Sequence, residues 1–151
     1  MLLTEDERGK IVIKEELEKA KKGEHKCSDP DCLISIAIPL ATIEGIEDCL
    51  ITILLFLFKE RHKMAEEGIK ISLGCFSINE ELVESAEVYL VDFANSIIDE
   101  SLRDSWRFLV LASRGDKAAT KAVLYLSLFL LGIEQVAREI AAVKAAIFSN
   151  N

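Results

Sequence analysis

The chain has 151 residues, half of them apolar and 29% charged, with a formal net charge of −8. That length suits one domain with a buried core, and the composition excludes a disordered chain. The negative charge opposes binding to a phosphate backbone, which depends on Lys and Arg.

The first residues, Met1-Leu2-Leu3-Thr4-Glu5-Asp6-Glu7, lack the basic and apolar segments of a secretory signal. Four cysteines (Cys27, Cys32, Cys49 and Cys75) are too scattered for a secreted disulfide scaffold. The reading is a cytoplasmic protein. Scarce Gln and Asn beside abundant Lys and Glu fit a thermophilic source.

Thr4-Glu5-Asp6-Glu7 has the form of a helix capping box. It predicts a peripheral first helix to about Lys22, with Gly23 at its C-terminal cap. Ile13, Leu17 and Ala20 give this helix one narrow apolar stripe. A loop follows over 23–29, and the core bundle is expected over 30–148. Asp29-Pro30 reads as an N-cap followed by proline at the first helical position. Helix can then continue to about Glu67, with Gly68 as its stop. Pro39 must interrupt it, because proline lacks the N–H and clashes with the preceding turn. A kink near Ile38, or two helices meeting there, is expected.

Residues 69–73 alternate apolar and polar, a strand pattern with no second strand to pair with. They are read as an extended connector. Ser77-Ile78-Asn79-Glu80 is a second capping box. Its helix carries Leu82, Ala86, Tyr89, Leu90, Phe93 and Ile97 on one face. The register slips at Asp99-Glu100-Ser101, where a bend or break is expected, and resumes with Ile98, Leu102, Trp106 and Leu109. Gly115 ends this segment and Asp116 caps the last helix, over 117–148. The fold class is therefore all-α: a single-domain bundle of four to five helices, two of them long, one kinked at Pro39.

Two runs, 49–58 and 122–133, are apolar on every side. Both are too short to span a membrane, which needs about 20 residues. A helix that is apolar all round needs cover on all sides. A small bundle offers one such central place, so the second run is expected to leave an exposed patch that a partner covers. This predicts a homo-oligomer, most simply a two-fold dimer, or a place in a larger protein assembly. The interface residues would be Leu124, Leu128 and Leu131, with Leu54 and Phe58 as the alternative face. Cover by the first helix and the 69–77 connector is the competing expectation.

Three sets of residues could carry chemistry. His25, Cys27 and Cys32 are three soft donors on one loop, as zinc requires. A Cys27–Cys32 disulfide or free thiols are the alternatives. Cys49 and Cys75 read as small apolar packing residues. The carboxylates Glu44, Glu47, Asp48, Asp92 and Glu134 sit in apolar helical stretches and could hold a divalent ion if turned inward. Glu44-Gly45-Ile46-Glu47 resembles the first magnesium-binding helix of the all-helical nucleotide pyrophosphohydrolases. That resemblance would imply a metal-dependent hydrolase using Glu44, Glu47, Asp92 and Glu134. The second half of the pattern departs, since Tyr89 stands three residues before Asp92 where Glu is needed. Solvated helix edges, or an ion pair of Glu134 with Arg138, are the plainer reading.

Arg103, Arg107, Arg114, Lys117 and Lys121 cluster around Gly115, beside Trp106 and a helix N-terminus, and could meet an anion or nucleic acid. Asp104 and Asp116 dilute that patch. The chain has no glycine-rich phosphate loop, no Ser–His–Asp set and no His-Glu-x-x-His helix. No cofactor is implied. The reading favoured by these observations is a non-enzymatic helical interaction module.

Overall fold

The computed structural model describes residues 2–73 and 78–149. Cys75 and Ser77 lie outside them. Among the described residues the chain forms six α-helices and no strand: α1 (Glu5–Lys21), α2 (Leu33–Ala41), α3 (Glu47–Glu66), α4 (Glu80–Ser96), α5 (Glu100–Ser113) and α6 (Lys117–Ser149). The fold is all-α, with six helices where four to five were expected. The extra elements come from two breaks, one on each side of the chain's middle.

The first break lies beyond Pro39 rather than at it. Pro39 sits in the last turn of α2, and the helix runs only two residues further. Thr42 Oγ1 then donates to the Pro39 carbonyl at 3.3 Å. Gly45, with φ of 80°, turns the chain before α3 begins. The second break is the one expected at the register slip. Asp99 caps α5, accepting from the backbone N–H of Ser101 (2.9 Å) and Leu102 (3.2 Å). Arg103 donates through Nε and Nη2 to the Ile97 carbonyl, at 2.9 and 2.6 Å, closing the end of α4.

The starts of α1, α4, α5 and α6 follow capping chemistry, but α2 opens at Leu33 after Cys32 rather than at Pro30 after Asp29, and neither it nor α3 has a side-chain cap. Thr4 accepts from Glu7 N–H at 3.1 Å, and Asp116 accepts from Ala119 N–H at 3.0 Å. At α4 the cap is Asn79, which accepts from Leu82 N–H at 2.8 Å, so the helix opens two residues later than a box led by Ser77 would place it. Residues 69–73 form no strand.

Both all-round apolar runs are enclosed by the chain itself. No residue of 49–58 or 122–133 is exposed. The cover comes from α1, which packs on α2 and α3, and from α2, which also packs on α6. Ile13, Leu17 and Ala20 are the buried face of α1. Gly9 lets α1 approach closely, since a Cβ there would stand 2.8 Å from Leu55 Cδ1. Trp106 is fully buried at the centre, edge-on to Phe93 with ring centroids 6.1 Å apart.

One polar pair is built into this core. Trp106 Nε1 donates to Ser127 Oγ at 3.2 Å, and Ser127 Oγ donates to the Val123 carbonyl at 2.8 Å. A buried donor left without a partner costs about 1–3 kcal/mol. Ser127→Ala is therefore expected to lower unfolding free energy by about that amount. In a Trp106→Phe background, where no N–H needs a partner, the same change should cost clearly less. Urea denaturation of the four proteins checks this, and equal costs in both backgrounds would refute it.

Candidate functional site

The loop between α1 and α2 brings His25, Cys27 and Cys32 together. One ligand atom from each lies within 4.8 Å of the others, the one such group of His, Cys, Asp or Glu donors among the described residues. His25 Nε2 is 3.4 Å from Cys32 Sγ, and His25 Nδ1 is 3.0 Å from Glu16 Oε2 on α1. The imidazole side chain is only 10% exposed. Cys32 is the residue that precedes α2, and Cys27 stands on the exposed side of the loop.

The loop is clamped from α3. Arg61 Nη1 donates to the Asp31 carbonyl at 3.0 Å, and its Nη2 reaches Asp29 Oδ2 at 3.4 Å. The guanidinium lies over the Phe129 ring, 5.5 Å from its centroid. Asp31 Oδ1 accepts from Leu73 N–H at 3.0 Å, and Asp29 Oδ1 from Asp31 N–H at 2.9 Å. Both carboxylates flanking the cysteines are thus engaged in holding the loop.

This setting polarises the three groups. Burial pushes the Cys32 thiol up, but Ser35, His25 and Cys27 outweigh it and bring it down to about 7. The bond to Cys32 raises the His25 pKa; partial burial opposes this and Glu16 adds to it. In turn His25, then Lys19, hold the Glu16 carboxyl below its usual range.

Cys49 contrasts with them. Its Sγ donates to the Ser105 carbonyl at 2.7 Å between α3 and α5. Burial pushes this thiol up to about 11, against a slight lowering from the Leu109 backbone. It behaves as the small packing residue expected from the sequence.

The carboxylates that could hold a divalent ion if turned inward do not converge. Glu44 falls in the turn before α3 and is exposed, so Glu44 and Glu47 do not share a helix face. Glu47 pairs with Lys14 at 3.8 Å. Asp48 and Asp92 are exposed, and Glu134 lies half-buried on α6, where desolvation raises its pKa and Arg138 lowers it. Arg138 Nε donates to the Glu134 backbone carbonyl at 3.4 Å, not to its carboxylate. The magnesium arrangement over Glu44, Glu47, Asp92 and Glu134 is therefore not formed.

The arginines near Gly115 are taken up by the chain. Arg103 holds the Ile97 carbonyl, Arg107 donates to Asn95 Oδ1 at 3.0 Å, and Arg114 pairs with Glu87 at 2.9 Å. Lys117 and Lys121 are exposed. The adjoining cleft holds Glu84, Glu87 and Asp116 beside Arg114 and Lys117, which leaves it without a cationic character.

The expected interface residues also need correction. Leu54 and Leu124 are wholly buried, so neither can meet a partner. Phe58, Leu128 and Leu131 are half-buried. Uncovered apolar side chains lie elsewhere, among them Val88, Ile98 and Leu111 around α4 and α5, and a row on α6. Ala122, Leu126, Phe129 and Ile133 are buried, and Val136 and Ile140 on the same stripe are half-buried. Val143 and Ile147, which continue it, are 59% and 58% exposed, and Phe148 beside them is 75% exposed. These eight stripe positions alternate spacings of four and three residues, the pattern of a coiled-coil seam. Val136 and Ile140 still pack against the edge of the core, with Ile69 of the connector lining the same groove, and beyond them Val143 and Ile147 are open among the described residues.

Among the described residues no helix is long and apolar enough to cross a membrane. The chain matches no protein-family model, no curated protein and no solved structure.

Alkylation of Cys49 is expected to run about a hundredfold slower than that of an ordinary thiol near neutral pH. A pKa of about 11 instead of 9.0 leaves a hundredfold less of the reactive thiolate. Mass-spectrometric mapping of iodoacetamide adducts against time checks this; rapid labelling of Cys49 in the folded chain would contradict it.

Proposed function

We propose that the protein is a helical assembly module that pairs with a second copy of itself through the C-terminal half of α6. The observation that carries this reading is the seam that passes from Val136 and Ile140 at the edge of the core to the exposed Val143 and Ile147. Residues 134–149 extend about 24 Å at 1.5 Å per residue, and in their last nine residues the apolar stripe is exposed. Water-exposed Val, Ile and Phe in one continuous row favour burial against a complementary row.

A second copy fits this row for two reasons. The four–three spacing is the geometry by which one helix packs into another of the same kind. The seam is also flanked by Glu139 on one side and Lys144 on the other, both exposed. Opposite charges on the two rims make the surface self-complementary, as a two-fold contact requires. The alanines Ala137, Ala141, Ala145 and Ala146 between these positions keep the helix slim and allow close approach. No catalytic arrangement is needed for this role.

Sedimentation velocity over a micromolar concentration series tests it. The wild-type chain is expected to associate with rising concentration. The double variant Val143→Asp, Ile147→Asp should remain monomeric with unchanged helical circular dichroism, because both side chains are more than half exposed in the single chain. A wild-type chain that stays monomeric throughout, or a variant that associates equally well, would overturn the reading.

A further inference from the structure

We propose that His25, Cys27 and Cys32 bind one zinc ion through Nε2 and two sulfurs, with Glu16 as the group that orients the imidazole. The spacing of the donors carries this. Zinc binds histidine nitrogen at about 2.0–2.1 Å and thiolate sulfur at about 2.3 Å in a tetrahedron. The corresponding edges are about 3.6 Å between nitrogen and sulfur and about 3.8 Å between two sulfurs. His25 Nε2 and Cys32 Sγ are 3.4 Å apart, and the three donor atoms fall within 4.8 Å of one another. An ion enters the triangle with side-chain adjustments on the order of 1 Å or less.

The surroundings match a metal site on three further counts. Zinc-binding histidines present one ring nitrogen to the metal and give the other N–H to a carboxylate, which fixes both tautomer and ring plane. Glu16 Oε2, 3.0 Å from Nδ1, does this and leaves the Nε2 lone pair for the ion. Two thiolates and an imidazole are a soft donor set, which selects zinc over magnesium or calcium. The Arg61 clamp on Asp29 and Asp31 holds the intervening loop in place before any metal arrives. Asp29 is engaged by Arg61 and the Asp31 carboxylate by Leu73 N–H, so the fourth coordination position falls to a water molecule on the exposed Cys27 side. Binding releases the thiol protons and ties the loop before α2 to α1 through Glu16.

The test uses the full chain, reduced and stripped with a chelator, then titrated with Co2+ alone and afterwards with Zn2+ alone. The expected result is one Co2+ per chain, with the intense visible bands of tetrahedral cobalt, thiolate-to-metal absorption in the near ultraviolet, and displacement by Zn2+. Cys27→Ser, Cys32→Ser and His25→Ala should each weaken binding by more than about a hundredfold. Glu16→Gln should weaken it by about 10–100-fold while keeping the spectrum. Cys49→Ser should change nothing. Far-UV circular dichroism confirms that each variant is folded. Absence of stoichiometric uptake by the folded wild-type chain overturns the proposal. So does a cobalt spectrum that survives Cys32→Ser. A Cys27–Cys32 disulfide that forms in air equally fast with and without one equivalent of Zn2+ overturns it as well.

Discussion

The structure depends on hiding two helix segments that have no polar side. Residues 49–58 of α3 and 122–133 of α6 present apolar groups around their full circumference. Each would be costly to leave in water. The chain meets this demand with its two least obvious elements. The amphipathic α1 lies across α2 and α3, and the short α2 lies between α1 and α6. Gly9 is part of that solution, because the missing side chain lets α1 settle on Leu55. The nine-residue length of α2 is part of it too, since a helix that stops at Ala41 before the turn at Gly45 can fold back where a longer one could not.

Placing α1 there has a chemical consequence. It brings Glu16 to His25 and so fixes the start of α2 against the end of α1. Arg61 links the same loop to the core, reaching Asp29 and Asp31 with its guanidinium while lying over Phe129. A single side chain thus couples the packing of α3 and α6 to the geometry of the cysteines. The contrast between two thiols shows what this does. Cys32 is surrounded by groups that favour its ionised form, whereas for Cys49, turned between α3 and α5, desolvation outweighs the Leu109 backbone.

The bundle also sets where cover ends. α6 has 33 residues, about 50 Å of helix, and the other helices pack on its first half. Its apolar stripe continues at the same spacing regardless. The helix therefore carries a single seam with two environments, buried against its own chain up to Ile133 and open to water at Val143 and Ile147. The polar Ser127 inside the buried half reflects the same close packing, since it supplies the acceptor that Trp106 needs.

Local chemistry was readable in the residues themselves. Caps at Thr4 and Asp116, the break at Asp99-Glu100-Ser101, stops at Gly23, Gly68 and Gly115, and the stripe of Ile13, Leu17 and Ala20 all follow from hydrogen bonding and periodicity within a few residues. The candidate set His25, Cys27 and Cys32 was legible as three soft donors on one loop, although a loop of that length can also hold them well apart. What needed the tertiary structure was everything set by distant partners. Glu16 is one acid among many on a charged helix face, and Arg61 one base at the end of a helix; nothing local ties either to the loop. The fate of Leu54 and Leu124 turned on how much surface α1 and α2 could cover, and that depends on crossing geometry rather than on residue type. The separation of Glu44 from Glu47, and the capture of Arg103 and Arg114, follow from where the chain breaks and which helix ends it brings together. Periodicity shows which face of a helix is apolar; only the folded chain decides what that face meets.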